Sequence, residues 1–170
     1  MVDLSQLKPS PEKLKEIKLF AAFSLEELQR LINSGEAMIF EPHTNVVIEG
    51  ELSWGLYLVI NGVVGIYKTN KASGDVYDIG QLKSGQYFGE MSLIDESPRS
   101  ATIRTLTETH TFFIGREGFQ SVLTSSNDTK LRFYEHCVRD LVVRLREVND
   151  SYVTSQFQLW KTMLSSKEVA

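Results

Sequence analysis

The segment Ala37–Met91, AMIFEPHTNVVIEGELSWGLYLVINGVVGIYKTNKASGDVYDIGQLKSGQYFGEM, decides the fold class. Its apolar residues follow a period of two, and Val, Ile, Tyr and Phe dominate, which is typical of β-strands. Polar turns (PHTN, EGELSWG, NG, NKASGD and KSGQ) separate the runs and supply Gly or Asn where a turn needs positive φ. Asn61 and Gly62 predict a hairpin. Short strands at this spacing, continuing to about Ile114, predict a mainly β protein: an antiparallel jelly-roll barrel rather than a parallel α/β sheet.

Two helices are predicted before the strands. In the first, Ser10 is the expected N-cap and Pro11 occupies the first turn, where proline is tolerated. Its apolar positions at helical spacing are Leu14, Ile17 and Phe20 or Ala21. Ser24 and Glu27 form the S-x-x-E capping box of the second helix. The apolar stripe of that helix is Leu25, Leu28, Leu31 and Ile32.

A long helix is predicted at the C-terminal end, after REGFQSVL, with Asn127 as the candidate N-cap. Apolar residues recur in it every seven positions: Leu131, Val138, Leu145, Tyr152 and Leu159. A second series lies three residues further on: Tyr134, Leu141 and Val148. This a/d pattern favours a partner helix, and so a homodimer. Since Cys137, Val142 and Val143 widen the apolar face, the alternative is a helix lying on the barrel. The expected organisation is therefore N-terminal helices in residues 1–33, the jelly roll in 34–115, and C-terminal helices in 116–170, serving as a lid or for dimerisation.

Composition limits the classes of function. The 18 basic and 22 acidic residues give a net charge of −4, which does not favour direct DNA binding. Cys137 is the single cysteine, so the chain has no internal disulfide, which fits a reducing compartment. No signal peptide and no apolar stretch of membrane-spanning length is recognisable. We therefore expect a cytoplasmic protein.

The stretch FGEMSLIDESPRSATI, residues 88–103, is unusual within a run of strands. Gly89 permits a close approach to the backbone, and the following segment, with Met91, Leu93 and Ile94, is expected to form one helical turn over the core, with its N–H groups available to an anion. Pro98 precedes Arg99, whose planar guanidinium is suited to gripping a phosphate. Because the Glu90 carboxylate would repel a phosphate, it is expected to face donors such as sugar hydroxyls.

These residues resemble the phosphate-binding cassette of cyclic nucleotide-binding domains, F-G-E-aliphatic-small-aliphatic, a short loop, then P-R-small-A-T/S-V. The likeness extends to LYLVINGVV and LKSGQYFGE and covers about Leu14 to Val148. Ser92 stands where the family more often has Ala. The resemblance implies that Glu90 binds a ribose 2′-hydroxyl, Arg99 the exocyclic phosphate oxygens, and Ser100 the phosphate or base. The expected ligand-binding residues are Phe88, Gly89, Glu90, Met91, Ser92, Pro98, Arg99, Ser100, Ala101 and, from the long helix, Asn149 against the base.

The resemblance implies a stand-alone receptor for cAMP, or alternatively cGMP, that signals through its C-terminal helix to a partner protein, because no helix-turn-helix follows that helix. A degenerate domain that binds no nucleotide and acts as an interaction module is the alternative. A metal-dependent jelly-roll enzyme is a second alternative, which the sequence supports less, since His43, His110 and His136 lack metal-ligand spacing. No nucleophile elbow or carboxylate cluster is present in the sequence, so we expect no enzyme and no metal.

Overall fold

A computed structural model describes residues 7–95 and 97–167. The chain divides into two compact units, Met1–Lys130 and Leu131–Ala170. The first contains every strand of the described residues and all helices except most of the last one.

The first helix, α1, spans Pro11–Glu16, and the Ser10 hydroxyl accepts the N–H of Lys13 at 3.3 Å, as an N-cap does. The helical spacing of apolar residues does not continue as one helix, because Ile17 is extended and a separate 3-10 turn covers Lys18–Phe20. The sequence prediction was wrong in joining Phe20 to the first helix.

The capping box predicted for the second helix, α2 (Leu25–Ser34), is confirmed. Ser24 Oγ accepts the N–H of Glu27 at 3.2 Å, and Glu27 Oε2 accepts the N–H of Ser24 at 2.7 Å. Glu27 also accepts the hydroxyl of Thr129, at the start of the last helix. Of the predicted stripe, Leu28, Leu31 and Ile32 are buried, whereas Leu25 is exposed.

Eight strands form two antiparallel four-stranded sheets, in the orders β1-β8-β3-β6 and β2-β7-β4-β5. This is the strand order of a double-sheet jelly roll, so the predicted fold class is confirmed. The strands are β1 (Glu36–Phe40), β2 (Asn45–Val47), β3 (Gly55–Asn61), β4 (Val63–Thr69), β5 (Val76–Lys83), β6 (Tyr87–Phe88), β7 (Thr102–Thr105) and β8 (Thr109–Gly115). A short helix, α3 (Met91–Ile94), lies between β6 and β7.

The turn at Asn61 and Gly62 exists, with Gly62 at φ 97°, but it does not make the predicted hairpin. In the described ladders β3 pairs with β6 and β8, whereas β4 pairs with β5 and β7. The turn therefore passes the chain from one sheet to the other. The consecutive strands that do pair are β4 and β5, through the turn after Asn70.

Side chains from both sheets form the core beside the cassette. Val59 and Phe88 come from one sheet, and Val47, Val64 and Ile103 from the other, and all five are buried. A second group of rings, Phe20, Phe23 and Phe119, packs with centroids 5.8–6.4 Å apart. The inner faces of the two sheets thus fix the ends of the cassette.

Two helices follow the strands, α4 (Arg116–Leu123) and α5 (Asn127–Lys167). The N-cap prediction for α5 was wrong by one residue: Ser126 precedes the helix, and its hydroxyl accepts the N–H of Thr129 at 3.3 Å. The heptad residues of α5, the a/d series that begin at Leu131 and Tyr134, are exposed in the single chain. None of the helices in the described part of the chain is long and apolar enough to span a bilayer.

Candidate functional site

The segment that carries the sequence motif lies between the edge strand β6 and the strand β7 of the opposite sheet. Phe88 pairs with Tyr57 of β3, and their rings stack with centroids 5.0 Å apart and planes 7° apart. The Tyr57 ring also contacts Phe113, at a centroid distance of 4.6 Å. This aromatic stack holds the beginning of the cassette against the first sheet.

Gly89 has a backbone conformation and surroundings that strongly favour glycine. Its φ is +87°, in the left-handed region, and a Cβ built there would lie 2.3 Å from Arg99 Nη1 and 2.5 Å from the Gly55 carbonyl oxygen. From the sequence, this glycine is expected to let an anion approach the backbone closely. In the structure, the Arg99 guanidinium occupies the space beside Gly89 that a Cβ would need.

Arg99 is buried, with 5% of its surface exposed. Its Nε donates to Ser53 Oγ at 2.7 Å, Nη1 to Ser92 Oγ at 3.2 Å, and Nη2 to the Gly55 carbonyl at 3.0 Å. Its guanidinium carbon lies 5.9 Å from the centroid of the Tyr57 ring. We call Ser53, Gly55 and Ser92 the arginine cradle. All three acceptors are neutral oxygens.

Burial lowers the pKa of the Arg99 guanidinium, and the negative charges of Tyr57, when ionised, and of Glu90 oppose this effect. An arginine nevertheless remains protonated throughout the physiological range. Glu90 is half-buried at the N-cap position of α3. Burial is also the main cause that raises the pKa of Tyr57. The site therefore holds a desolvated positive charge, with one carboxylate near enough to act on it.

Backbone contacts fix the loop that carries Arg99. The Arg99 N–H donates to the Glu51 carbonyl at 2.9 Å, and the Arg99 carbonyl accepts the N–H of Gly50 at 2.9 Å. Lys68 Nζ donates to the carbonyl of Ser100 and forms a salt bridge of 2.7 Å with Glu49 Oε1. The hydrogen bond from Lys68 is the main cause that lowers the pKa of Glu49.

Sequence reasoning missed four of these partners: Glu49, Ser53, Gly55 and Lys68. The turn EGELSWG was recognised only as a turn, and Lys68 only as part of a strand. Ser53 and Gly55 contact Arg99, Lys68 contacts Ser100, and Glu49 contacts Lys68. No local pattern indicates these contacts, because they span 19 to 46 residues of sequence.

The predicted cassette residues lie in one continuous segment, which includes the single helical turn expected after Glu90. Leu93 is buried, as expected, whereas Met91 and Ile94 are exposed, so the helical turn presents only part of its apolar surface to the core. Pro98 and Ser100 are exposed, and Ser100 Oγ lies 3.8 Å from Met91 Sδ. Asn149 lies on α5, in the second unit, and is exposed. Its contact with a base stays a prediction.

The three histidines stand apart in the sequence and in different elements. His43 occupies the turn before β2 with φ 63°, His110 lies on β8 with Nε2 3.1 Å from Glu108 Oε1, and His136 lies on α5. Among residues 7–95 and 97–167, the structure shows no group of three or more His, Cys, Asp or Glu residues that could hold a metal ion.

The sequence of this chain is similar to those of known proteins. Over 110 residues, the chain is 33% identical to a cAMP-dependent protein kinase regulatory subunit of Yarrowia lipolytica, covering 65% of this chain and 28% of that protein. It is 28% identical over 137 residues to the Cyclic AMP receptor protein of Thermus thermophilus, covering 80% and 61%. The chain therefore spans under a third of the first relative and under two thirds of the second.

A solved structure shows the same fold. The cyclic nucleotide-binding domain from Methylobacillus flagellatus superposes with a TM-score of 0.69 at 26% identity, covering 84% of this chain and 80% of that one. The family model of the cyclic nucleotide-binding domain matches residues 37–126, a little over half of the chain, including the whole cassette. The chain therefore belongs to the cyclic nucleotide-binding domain family.

Proposed function

We propose that this chain is a cyclic nucleotide receptor that binds cAMP at the cassette, with the exocyclic phosphate on Arg99. One observation carries the proposal: within the part of the chain that the structure describes, the hydrogen-bond acceptors of the buried guanidinium are all neutral oxygens, and the guanidinium packs beside a glycine with positive φ. A buried charge is costly unless it is compensated, and an anion compensates it. A phosphate accepts two parallel hydrogen bonds from arginine, so it fits this position.

The remaining cassette residues complete the proposed site. The Glu90 carboxylate accepts a hydrogen bond from the ribose 2′-hydroxyl. Its negative charge is then directed away from the phosphate, although it still acts on Arg99. The Ser100 hydroxyl reaches the phosphate or the base, and the backbone N–H groups of Gly89 and Ala101 supplement Arg99. The Ser100 backbone is already held by Lys68, which supports a fixed position for this residue.

We propose cAMP in preference to cGMP because the two named relatives are a cAMP-dependent kinase subunit and a cyclic AMP receptor. Ser100 does not distinguish adenine from guanine, since its hydroxyl both donates and accepts hydrogen bonds. The choice between the two bases is accordingly made by the titration described below, in which both nucleotides are compared.

The proposed output is a change in α5 that a partner protein reads. Its two heptad series expose large apolar side chains, Leu145 and Tyr152 among them, at 60% and 64%. An apolar a/d stripe of this kind is suited to a second helix, from an effector protein or from a second copy of the chain. We propose a regulatory rather than catalytic role, no direct DNA contact, in line with the net charge of −4, and a cytoplasmic location, in line with the single cysteine.

Calorimetric titration of cAMP and of cGMP tests the proposal. The protein is first unfolded and refolded to remove nucleotide carried through purification. We expect cAMP to bind with a Kd of about 1 µM or tighter, near −8 kcal/mol, and more tightly than cGMP. If folded protein binds neither nucleotide, the receptor function is wrong, and the chain is instead a module of the same fold that acts through protein contacts.

A further inference from the structure

The arginine cradle consists of two serine hydroxyls and one backbone carbonyl. Ser92, on α3, has 3% of its surface exposed, and Ser53, before β3, is half-buried. A buried arginine needs acceptors for its N–H groups, and any neutral oxygen could serve. The two serines either serve only as hydrogen-bond acceptors for Arg99 or also orient its guanidinium for a ligand.

The hydrogen bonds of Ser92 give its hydroxyl a direction. Ser92 Oγ donates to the Gly89 carbonyl at 2.9 Å while it accepts from Arg99 Nη1 at 3.2 Å. Because its single proton is used on Gly89, its lone pairs are available to the guanidinium. Ser92 thereby links the glycine, the first turn of α3 and the arginine in one chain of hydrogen bonds.

Ser53 contacts the opposite side of the Arg99 guanidinium, at Nε. It accepts from Nε at 2.7 Å, while the Gly55 carbonyl accepts from Nη2 at 3.0 Å. A guanidinium has five N–H donors in a rigid plane, and the cradle uses one on each nitrogen. One N–H on Nη1 and one on Nη2 therefore lie outside these three contacts, and an arginine can bind two oxygens of a phosphate through two N–H groups.

We propose that Ser53 and Ser92 are positioning residues, which hold the Arg99 plane in the orientation that presents this remaining pair of donors to the phosphate. The inference rests on the proposed function and assigns a role to two residues outside the phosphate contact itself. Holding the guanidinium before the ligand arrives reduces the side-chain ordering that binding would otherwise require. The serines thus strengthen nucleotide binding through Arg99.

If the serines instead competed with the nucleotide for Arg99, their removal would change the affinity for cAMP in the opposite direction. If the phosphate had to pull Arg99 out of the cradle, the serines would compete with the ligand, and removing one hydroxyl would tighten binding. If the serines served only folding, their removal would lower stability and leave the affinity of the folded protein unchanged.

A double-mutant cycle separates these cases. Calorimetry measures cAMP binding to the wild type, to Ser53→Ala and Ser92→Ala, to Arg99→Ala, and to each serine variant combined with Arg99→Ala. We expect each serine variant to bind about tenfold more weakly, the size of one hydrogen bond to a charged group, with no further loss in the Arg99→Ala background. Ser73→Ala, an exposed serine in the β4–β5 turn, is the matched control and should bind like the wild type.

Ser53→Thr retains a hydroxyl and should restore the affinity that Ser53→Ala loses. Since Ser53 is less buried than Ser92, its replacement is expected to disturb folding less. If Ser92→Ala does not fold, the Ser53 variants alone test the proposal. An unchanged or tighter affinity in a folded Ser53→Ala protein would overturn the proposal, as would an equal loss with and without Arg99.

A second measurement needs no nucleotide. In the NMR spectrum of nucleotide-free protein, Ser53→Ala should shift the Arg99 Nε–H resonance and speed its exchange with water, whereas Ser73→Ala should leave it unchanged. Failure of the wild type to bind cAMP, with this NMR effect present, would refute the receptor function and the role of the serines in it together. Normal wild-type binding without coupling in the cycle would refute the serine role alone.

Discussion

Two arginines five residues apart have opposite environments. Both guanidinium carbons lie over a tyrosine ring, Arg99 at 5.9 Å from Tyr57 and Arg104 at 5.5 Å from Tyr67. Arg99 is buried and donates to three oxygens, whereas Arg104, on β7, is exposed and donates from Nε to Asn45 Oδ1 at 2.8 Å.

The difference shows what burying an arginine costs the fold. Arg104 keeps its charge in water, where a contact of this kind contributes little to stability. Arg99 loses hydration, which lowers its pKa. Its three hydrogen bonds go to neutral oxygens, and the charge of Glu90 partly opposes the lowering of its pKa. Under the proposed function, the Arg99 region holds its charge for a ligand, and the Arg104 region does not.

The largest expected effect is the loss of binding in Arg99→Ala. Removing one partner of a buried, hydrogen-bonded charge pair should weaken cAMP binding by at least about 2 kcal/mol, roughly 30-fold. Arg104→Ala removes the same side chain from an exposed site and should leave the affinity within about twofold. Calorimetry on both variants makes the comparison, and equal affinities for cAMP would contradict the proposed phosphate site.

A second prediction concerns the glycine that packs on Arg99. Gly89 and Gly74 both have positive φ, at +87° and +80°, but a Cβ at Gly74 would meet nothing within 4 Å. Both alanine variants should lose about 1 kcal/mol of unfolding free energy to backbone strain, and Gly89→Ala about 1 kcal/mol more. Denaturant unfolding of the two variants gives the difference.

The cause of that extra loss can be checked separately. It should shrink when Gly89→Ala is combined with Arg99→Ala, because the Cβ then no longer meets the guanidinium. An undiminished loss would assign the clash to the Gly55 carbonyl, 2.5 Å from the same Cβ, rather than to the arginine.

The smallest expected effect lies at the Glu49–Lys68 salt bridge behind Ser100. The hydrogen bond from Lys68 lowers the pKa of Glu49, so the stabilisation is present above the pKa of the unfolded state, about 4.3, and is lost as the pH falls through the lower folded value. Glu49→Gln should therefore lower Tm slightly near neutral pH and not at acidic pH. Thermal unfolding of the wild type and the variant across this range checks the effect, and a Tm difference independent of pH would exclude the ionic origin.

The other partner of this salt bridge, Lys68, sharpens the comparison of the two arginines. Lys68 also donates to the Ser100 carbonyl, next to Arg99, and so connects the salt bridge to the cassette. Lys68→Met should weaken cAMP binding modestly, by less than the loss in Arg99→Ala, because it loosens Ser100 without removing the charge that binds phosphate. Calorimetric titration of Lys68→Met with cAMP measures this effect. An unchanged affinity for cAMP would show that the hydrogen bond from Lys68 to Ser100 contributes to the fold and not to nucleotide binding.

Local patterns predicted much of the fold. The Ser24–Glu27 capping box was found because its two hydrogen bonds join residues three apart. The cassette was found because Gly89, Glu90 and Arg99 stand close together in sequence. Asn61 and Gly62 correctly indicated a turn but not the partners of the flanking strands, because a turn preference is local and strand pairing is not.

The sequence by itself determined the strand segments, the caps of the first two helices and the cassette, since each depends on residues that are close together along the chain. Only the tertiary structure decided what holds Arg99. Ser53 and Gly55 are 46 and 44 residues away, and the pairing of Tyr57 with Phe88 holds β3 against β6, so that the Gly55 carbonyl lies beside Gly89 and within reach of Arg99. The acceptors of a buried charge are fixed by which strands are neighbours, and that depends on the burial of both sheets at once.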